Sequence, residues 1–163
     1  MDGNGNRPLP VSKGCFVCGC ENPAGLRTQF YVDGDSVKAI LHARPHHCGY
    51  ESVVHGGIVA AALDECMAWA AARTLGLMCV TAELTIRYIK RVPEECDLTV
   101  SAWSIKSSRR IAHVAGTIRD QGGATYARAE GRFMPMSIEE TLATDDQLVY
   151  IGGEERIFDK LRA

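Results

Sequence analysis

No apolar run in this 163-residue chain is long enough to cross a bilayer, because the one extended apolar stretch, after Gly57, is broken by Asp64, Glu65 and Arg73. A membrane partner is therefore not expected. Neither sign of charge is in excess: 18 Lys and Arg against 20 Asp and Glu leave a formal net charge of -2, which excludes a dedicated nucleic-acid binder. Internal repeats and low-complexity tracts are both missing. Met1 to Pro10 lacks the apolar core of a signal peptide or anchor and is rich in Gly, Asn and Pro, so residues 1–14 are expected to be a disordered lead-in. Aromatic residues make up only 7% of the chain, a share that does not decide between aryl and alkyl ligands.

The cysteines lack the even count and regular spacing of a secreted disulfide framework. There are seven, scattered through apolar segments, which points to a reducing, cytoplasmic setting. Cys15, Cys18 and Cys20 have the spacing of half a zinc site or a redox pair, but no later Cys-x-x-Cys completes it and only His46 and His47 are in reserve. The expectation is a structural turn with buried thiols, with no metal and no cofactor.

What is present fits one globular domain with a real core, since 46% of residues are hydrophobic. Its one long helical pattern runs from about Gly56 to Leu75, with Gly76 as the stop. At about 100° per residue, one face collects Gly57, Ala61, Asp64, Ala68 and Ala71. Asp64 thus lies in a stripe of small side chains, where a ligand or another backbone can approach and where a carboxylate needs a polar partner. Alternating segments predict strands at 26–32 and 37–42, joined through Asp33-Gly34-Asp35, then at 78–92, 96–106, 110–120 and 124–134. Residues 43–52, with Pro45, His46, His47, Cys48, Gly49 and Tyr50, form a loop that leads to His55. Ser137-Ile138-Glu139-Glu140 has capping-box spacing for a short helix, and the tail, amphipathic over 154–161, is expected to be peripheral. A helix that is apolar nearly all round must be wrapped, and an antiparallel sheet is the element available; the fold class is α+β. The expected units are a lead-in (1–14), the main domain (15–136) and a helical tail (137–163).

Several motifs in this order resemble a known family. Cys15-Phe16-Val17-Cys18-Gly19 followed by Asn22-Pro23-Ala24-Gly25-Leu26, a helix opened by His55-Gly56-Gly57 with an acid nine residues after the His, and then Val80-Thr81-Ala82-Glu83-Leu84-Thr85-Ile86-Arg87-Tyr88 are similar to the hotdog-fold acyl-CoA thioesterases of the PaaI-like, 4-hydroxybenzoyl-CoA thioesterase group. The resemblance spans Cys15 to Met134 and implies an antiparallel sheet around a central helix. It implies that Asp64 is the catalytic carboxylate, as general base or nucleophile, and that the amides of Gly56 and Gly57, with Gly57 in the catalytic set, polarise the thioester carbonyl. Thr81 matches a hydroxyl that orients the water. It further implies a homodimer or homotetramer with sites at the dimer interface, where Asp64 faces residues of the other chain, including the Thr81 strand.

Substrate-binding candidates are His47, Cys48, His55, Gly56, Arg87, Lys90 and Arg91. Lys106, Arg109 and Arg110 are counted with the last three as a group at strand ends for the CoA phosphates. Relatives often carry Gln or Asn before His-Gly-Gly, where this chain has Cys48, a poor amide substitute. That departure motivates the alternative of a non-catalytic acyl-CoA-binding module. His55 is also compatible with a purely structural helix-start role, and a hydratase would need it paired with an acid.

Overall fold

The computed structural model describes residues 5–163. Its elements are β1 (Val11–Ser12), β2 (Phe30–Asp33), β3 (Ser36–His42), a 3₁₀ turn (Pro45–His47), β4 (Cys48–Tyr50), β5 (Val53–Val54), α1 (Gly56–Leu75), β6 (Cys79–Tyr88), β7 (Asp97–Ser108), β8 (Ile111–Arg119), β9 (Thr125–Pro135), α2 (Ile138–Asp145), β10 (Leu148–Val149) and a last 3₁₀ turn (Asp159–Arg162). Alanine-rich sequence favours α1 intrinsically. Its start is set by His55, whose ring Nδ1 accepts the Gly57 N–H at 2.8 Å. Its end is set by Gly76 at φ 67°, a left-handed position that favours glycine, with the Gly76 N–H returned to the Ala72 carbonyl.

Six strands form one antiparallel sheet in the order β2-β3-β7-β8-β9-β6. Alternate residues of its inner face, among them Val37, Leu41, Leu98, Val100, Val114, Ile118 and Phe133, are buried with Val59, Leu63, Cys66, Met67 and Ala70 of α1. Met67 settles over Gly116 and Gly131, where an added Cβ would come within about 3 Å of it, so glycine at both points lets the helix lie close. One long helix laid along one antiparallel sheet is the α+β hotdog arrangement that the sequence implies. The small-residue stripe is the less buried flank: Ala61, Asp64 and Ala68 are half-buried, while Ala71 is in the core.

Three expectations change. The strand placed at 26–32 begins only at Phe30, because Leu26 and Thr28 donate their N–H groups to the Phe16 and Val17 carbonyls of the N-terminal loop. The loop 43–52 carries its own small hairpin, β4 with β5. The lead-in and tail are not loose appendages over their described parts, whereas residues 1–4 lie outside the described residues. Leu9 is 1% exposed, Val32 donates to the Arg7 carbonyl, and β1 pairs with β10. Phe158 is likewise 1% exposed, and Arg73 of α1 holds Glu155 at 2.7 Å. The tail also has a polar anchor, the buried Asp145, which accepts from Tyr150 Oη and pairs with Arg162. The two ends bury apolar side chains against the core and each other, which local composition does not reveal. The capping box predicted at α2 forms, Ser137 with Glu140.

Candidate active site

Asp64 projects from the middle of α1 toward β6, and its Oδ1 accepts the Thr81 hydroxyl at 2.7 Å. The contact depends on a β-bulge. Thr81 pairs with Phe133 and Glu83 with Arg132, so Ala82 is the extra residue. Strict alternation places Thr81 on the same face as Glu83, Thr85 and Arg87; the bulge turns it to the inner face beside Phe133, where it meets the helix. With Oδ1 held, Oδ2 keeps its lone pairs for another partner. Thr81 of the same chain therefore meets Asp64, not a strand of another chain as the sequence suggested. Removing this hydroxyl deletes one charge-assisted hydrogen bond. Thr81→Val is expected to cost about 1 kcal/mol of stability, and Thr81→Ser to restore it, in a thermal melt.

The helix start forms a second cluster. The Gly57 N–H is taken by His55 Nδ1, and the Ile58 N–H by the His55 carbonyl at 2.9 Å, whereas the Gly56 N–H has no partner among the described residues. The open donor is thus Gly56 rather than Gly57, whose amide the His55 cap occupies. His55 has the structural role, and His55→Ala is expected to cost about 1 kcal/mol in a denaturation experiment. Gly49 packs on the His55 ring so closely that an added Cβ would lie 2.7 Å from Cδ2. Tyr88, which sequence inspection did not single out, donates its hydroxyl to the Gly56 carbonyl at 3.0 Å. A groove of about 370 Å³ opens here, lined by Tyr50, Val54, Gly56, Tyr88, Lys90 and Arg91. Tyr50 is 83% exposed at its rim.

His47 and Cys48 do not line this groove. His47 is buried, its Nδ1 accepts the Arg44 N–H, and its carbonyl accepts the His55 N–H at 2.8 Å, so it ties the loop to the helix start. Burial, then the neighbouring His46 and Arg44 charges, lower its pKa. The Cys48 thiol turns to Glu94 at 3.6 Å. Burial first, and then Glu94, raise the pKa of that thiol.

The basic residues do not form one group. Arg87 faces a larger groove of about 690 Å³ on the outer face of the sheet, with Arg128 and Arg132, away from Asp64. The register Thr81–Phe133–Ala112–Ser107 puts the β7–β8 turn, with Lys106, Arg109 and Arg110, at the Thr81 end of the sheet. The register Tyr88–Ala127–Ile118–Val100 puts Lys90 and Arg91 at the opposite end. Only Lys90 and Arg91 stay beside the helix start.

Glu65 points away from Asp64, toward the N-terminal loop, where the Cys18 and Cys15 thiols reach its Oε1 at 3.3 and 3.7 Å. Burial, followed by the Cys15 charge, pushes its carboxyl up to about 7. Within the thiol pair, hydrogen bonds from the Cys18 thiol and nearby amides hold Cys15 below the usual thiol range, while its role as donor and its burial raise Cys18.

Residues 51–127 match the sequence model of the thioesterase superfamily. A crystallised thioesterase superfamily protein is 27% identical, with a TM-score of 0.70 over 76% of this chain; the chain spans 61% of that protein's length. The PaaI protein of the Escherichia coli phenylacetic acid degradation operon is 18% identical, with a TM-score of 0.64 over 69% of this chain and 81% of its own. A Streptococcus mutans protein solved with acetyl CoA is 19% identical, with a TM-score of 0.60 over 63% and 82%. No curated protein matches the chain. Motifs, sheet order and these similarities give this chain the hotdog fold, and its residues 51–127 carry the sequence pattern of the thioesterase superfamily.

Proposed function

We propose that the chain hydrolyses an acyl-CoA thioester, in a homodimer whose two active sites each take Asp64 from one protomer and the Gly56 amide from the other. The observation that carries this is the Asp64 carboxylate, fixed by Thr81 at 2.7 Å with its second oxygen open. Asp64 and Gly56 are eight residues apart on one helix, about 12 Å along its axis. A carbonyl carbon attacked at about 3–3.5 Å cannot be served by both groups of one chain. The arrangement that unites them follows from β6, which is an edge strand with its outer hydrogen-bonding side unpaired in the sheet. Antiparallel pairing with β6 of a second copy, centred near Leu84 and Thr85, brings Thr81 of one protomer beside Tyr88 of the partner subunit. Asp64 then lies by the partner's Gly56.

In this site Asp64 Oδ2 takes a proton from water as the water oxygen attacks the thioester carbon, and the Gly56 N–H at a positive helix end stabilises the oxyanion. Collapse breaks the C–S bond, and the CoA thiolate leaves and takes up the proton, giving free acid and CoA. Direct attack by Asp64 to give a mixed anhydride uses the same atoms; single turnover in ¹⁸O-water places label in Asp64 only by that route. Lys90 and Arg91 are suited to the CoA phosphates, and the relative solved with acetyl CoA supports that class of ligand. The chain is proposed to work as a soluble cytoplasmic enzyme; no described helix is long and apolar enough to cross a membrane.

A panel of acyl-CoA esters with thiol detection tests the activity: release of CoA from at least one ester is expected. One observation favours a second reading, binding without turnover: the loop before His55 offers the groove no amide side chain, and Cys48 turns to Glu94. Tight binding of esters with no CoA release, and with no water addition to crotonyl-CoA, would establish that reading instead.

A further inference from the structure

The Cys-x-x-Cys loop and Glu65 meet at a place the hydrolytic chemistry does not use. Cys15 and Cys18 are presented by a tight turn in which the Gly19 N–H returns to the Cys15 carbonyl at 3.0 Å. A Cβ at Gly19 would lie 2.2 Å from that carbonyl oxygen, so only glycine closes the turn. Both sulfurs are supported from behind: Cys15 Sγ accepts the Val17 and Cys18 N–H groups at 3.2 and 3.5 Å, and Cys18 Sγ accepts the Ser12 N–H at 3.5 Å. Such donors stabilise sulfur that carries negative charge and orient it as a ligand. Opposite them, rigid α1 supplies Glu65, which forms no ion pair among the described residues. A carboxylate withdrawn from water between two thiols and without a cation is costly unless a cation joins it.

We propose that Cys15 Sγ, Cys18 Sγ and a Glu65 carboxylate oxygen bind one zinc-class divalent ion, with a solvent molecule as the fourth ligand. The three donor atoms lie within 4.8 Å of one another. Tetrahedral zinc, with Zn–S of about 2.3 Å and Zn–O of about 2.1 Å, sets an S···O edge of about 3.6 Å. The observed edges are 3.3 and 3.7 Å, so little movement is needed to admit the ion. Thiolates select zinc over the harder magnesium and calcium. Binding releases the thiol protons to solvent and ties the N-terminal loop to the helix one residue from Asp64, across a long chain segment. The site stands independently of the proposed hydrolysis.

Cobalt(II) titration of the reduced, metal-stripped full chain tests the site. The expected result is a thiolate-to-cobalt charge-transfer band with tetrahedral d–d bands, saturating at one equivalent, bleached by one equivalent of zinc, with a rise in Tm when zinc is added. Cys15→Ser and Cys18→Ser should each remove much of the charge-transfer intensity, and Glu65→Gln should keep the band but weaken cobalt binding more than about 10-fold. The wild-type spectrum is decisive even if a variant folds poorly. Absence of a saturable band overturns the proposal, as does a band that survives in the Cys15→Ser/Cys18→Ser double variant. Loss of two thiols as a Cys15–Cys18 disulfide, with no metal uptake by the reduced protein, overturns it equally.

Discussion

Asp64→Asn is expected to lower kcat on the best acyl-CoA ester by about 10³-fold, within the range for losing a positioned general base, while leaving Tm and KM close to wild type. Asn keeps the size of the side chain, and its amide oxygen can still accept the Thr81 hydroxyl that Asp64 Oδ1 accepts at 2.7 Å. What disappears is the basic second oxygen. The adjacent acid in the sequence, Glu65, cannot substitute, because it faces the thiols of the N-terminal loop. Steady-state kinetics with a thermal melt checks both halves. Near wild-type turnover in this variant would remove Asp64 from the chemistry.

Gly56→Pro carries the second large effect, about 10²–10³-fold in kcat, because it deletes the one open amide at the helix start. The backbone accepts the change. Gly56 is the first helical residue, where proline is tolerated since its N–H has no intrahelical acceptor. His55 before it is extended at φ -61°, ψ 134°, as a residue preceding proline prefers. A Cβ at position 56 meets the Tyr88 ring at 3.5–3.6 Å, ordinary contact. The variant should therefore melt like wild type and lose turnover. A matching change at Gly57 would test less, since that amide is already committed to His55.

Asp64 stands out as a candidate in the sequence because its spacing from His55-Gly56-Gly57 is local, and the helix bounds followed from its cap and its terminal glycine. The strand alternation was visible for the same reason, apart from one inserted residue. Periodicity of two carries no sign of a bulge, so Thr81 falls on the wrong face until the pairing with Phe133 is known. The choice between Gly56 and Gly57 rests on where the His55 ring turns, a matter of side-chain geometry. Arg87 and the Lys106–Arg110 group look close to Lys90 and Arg91 as strand-end charges, yet strand register sends them to another face and another end. Tyr88 reads as one more alternating strand residue and becomes notable only when its hydroxyl meets Gly56. Leu9 and Phe158 sit in polar, glycine-containing neighbourhoods, and their burial is created by contacts between the two ends of the chain.

The claim that each site is shared between two protomers is tested most directly by complementation. Asp64→Asn and Gly56→Pro chains carrying different tags are co-expressed, the hybrid is isolated through both tags, and its CoA release is compared with each parent variant. In a twofold dimer the hybrid contains one site with both lesions and one with wild-type Asp64 and wild-type Gly56, so about half of wild-type activity per dimer is predicted. A hybrid no more active than its parents would contradict the account and confine the chemistry to a single chain.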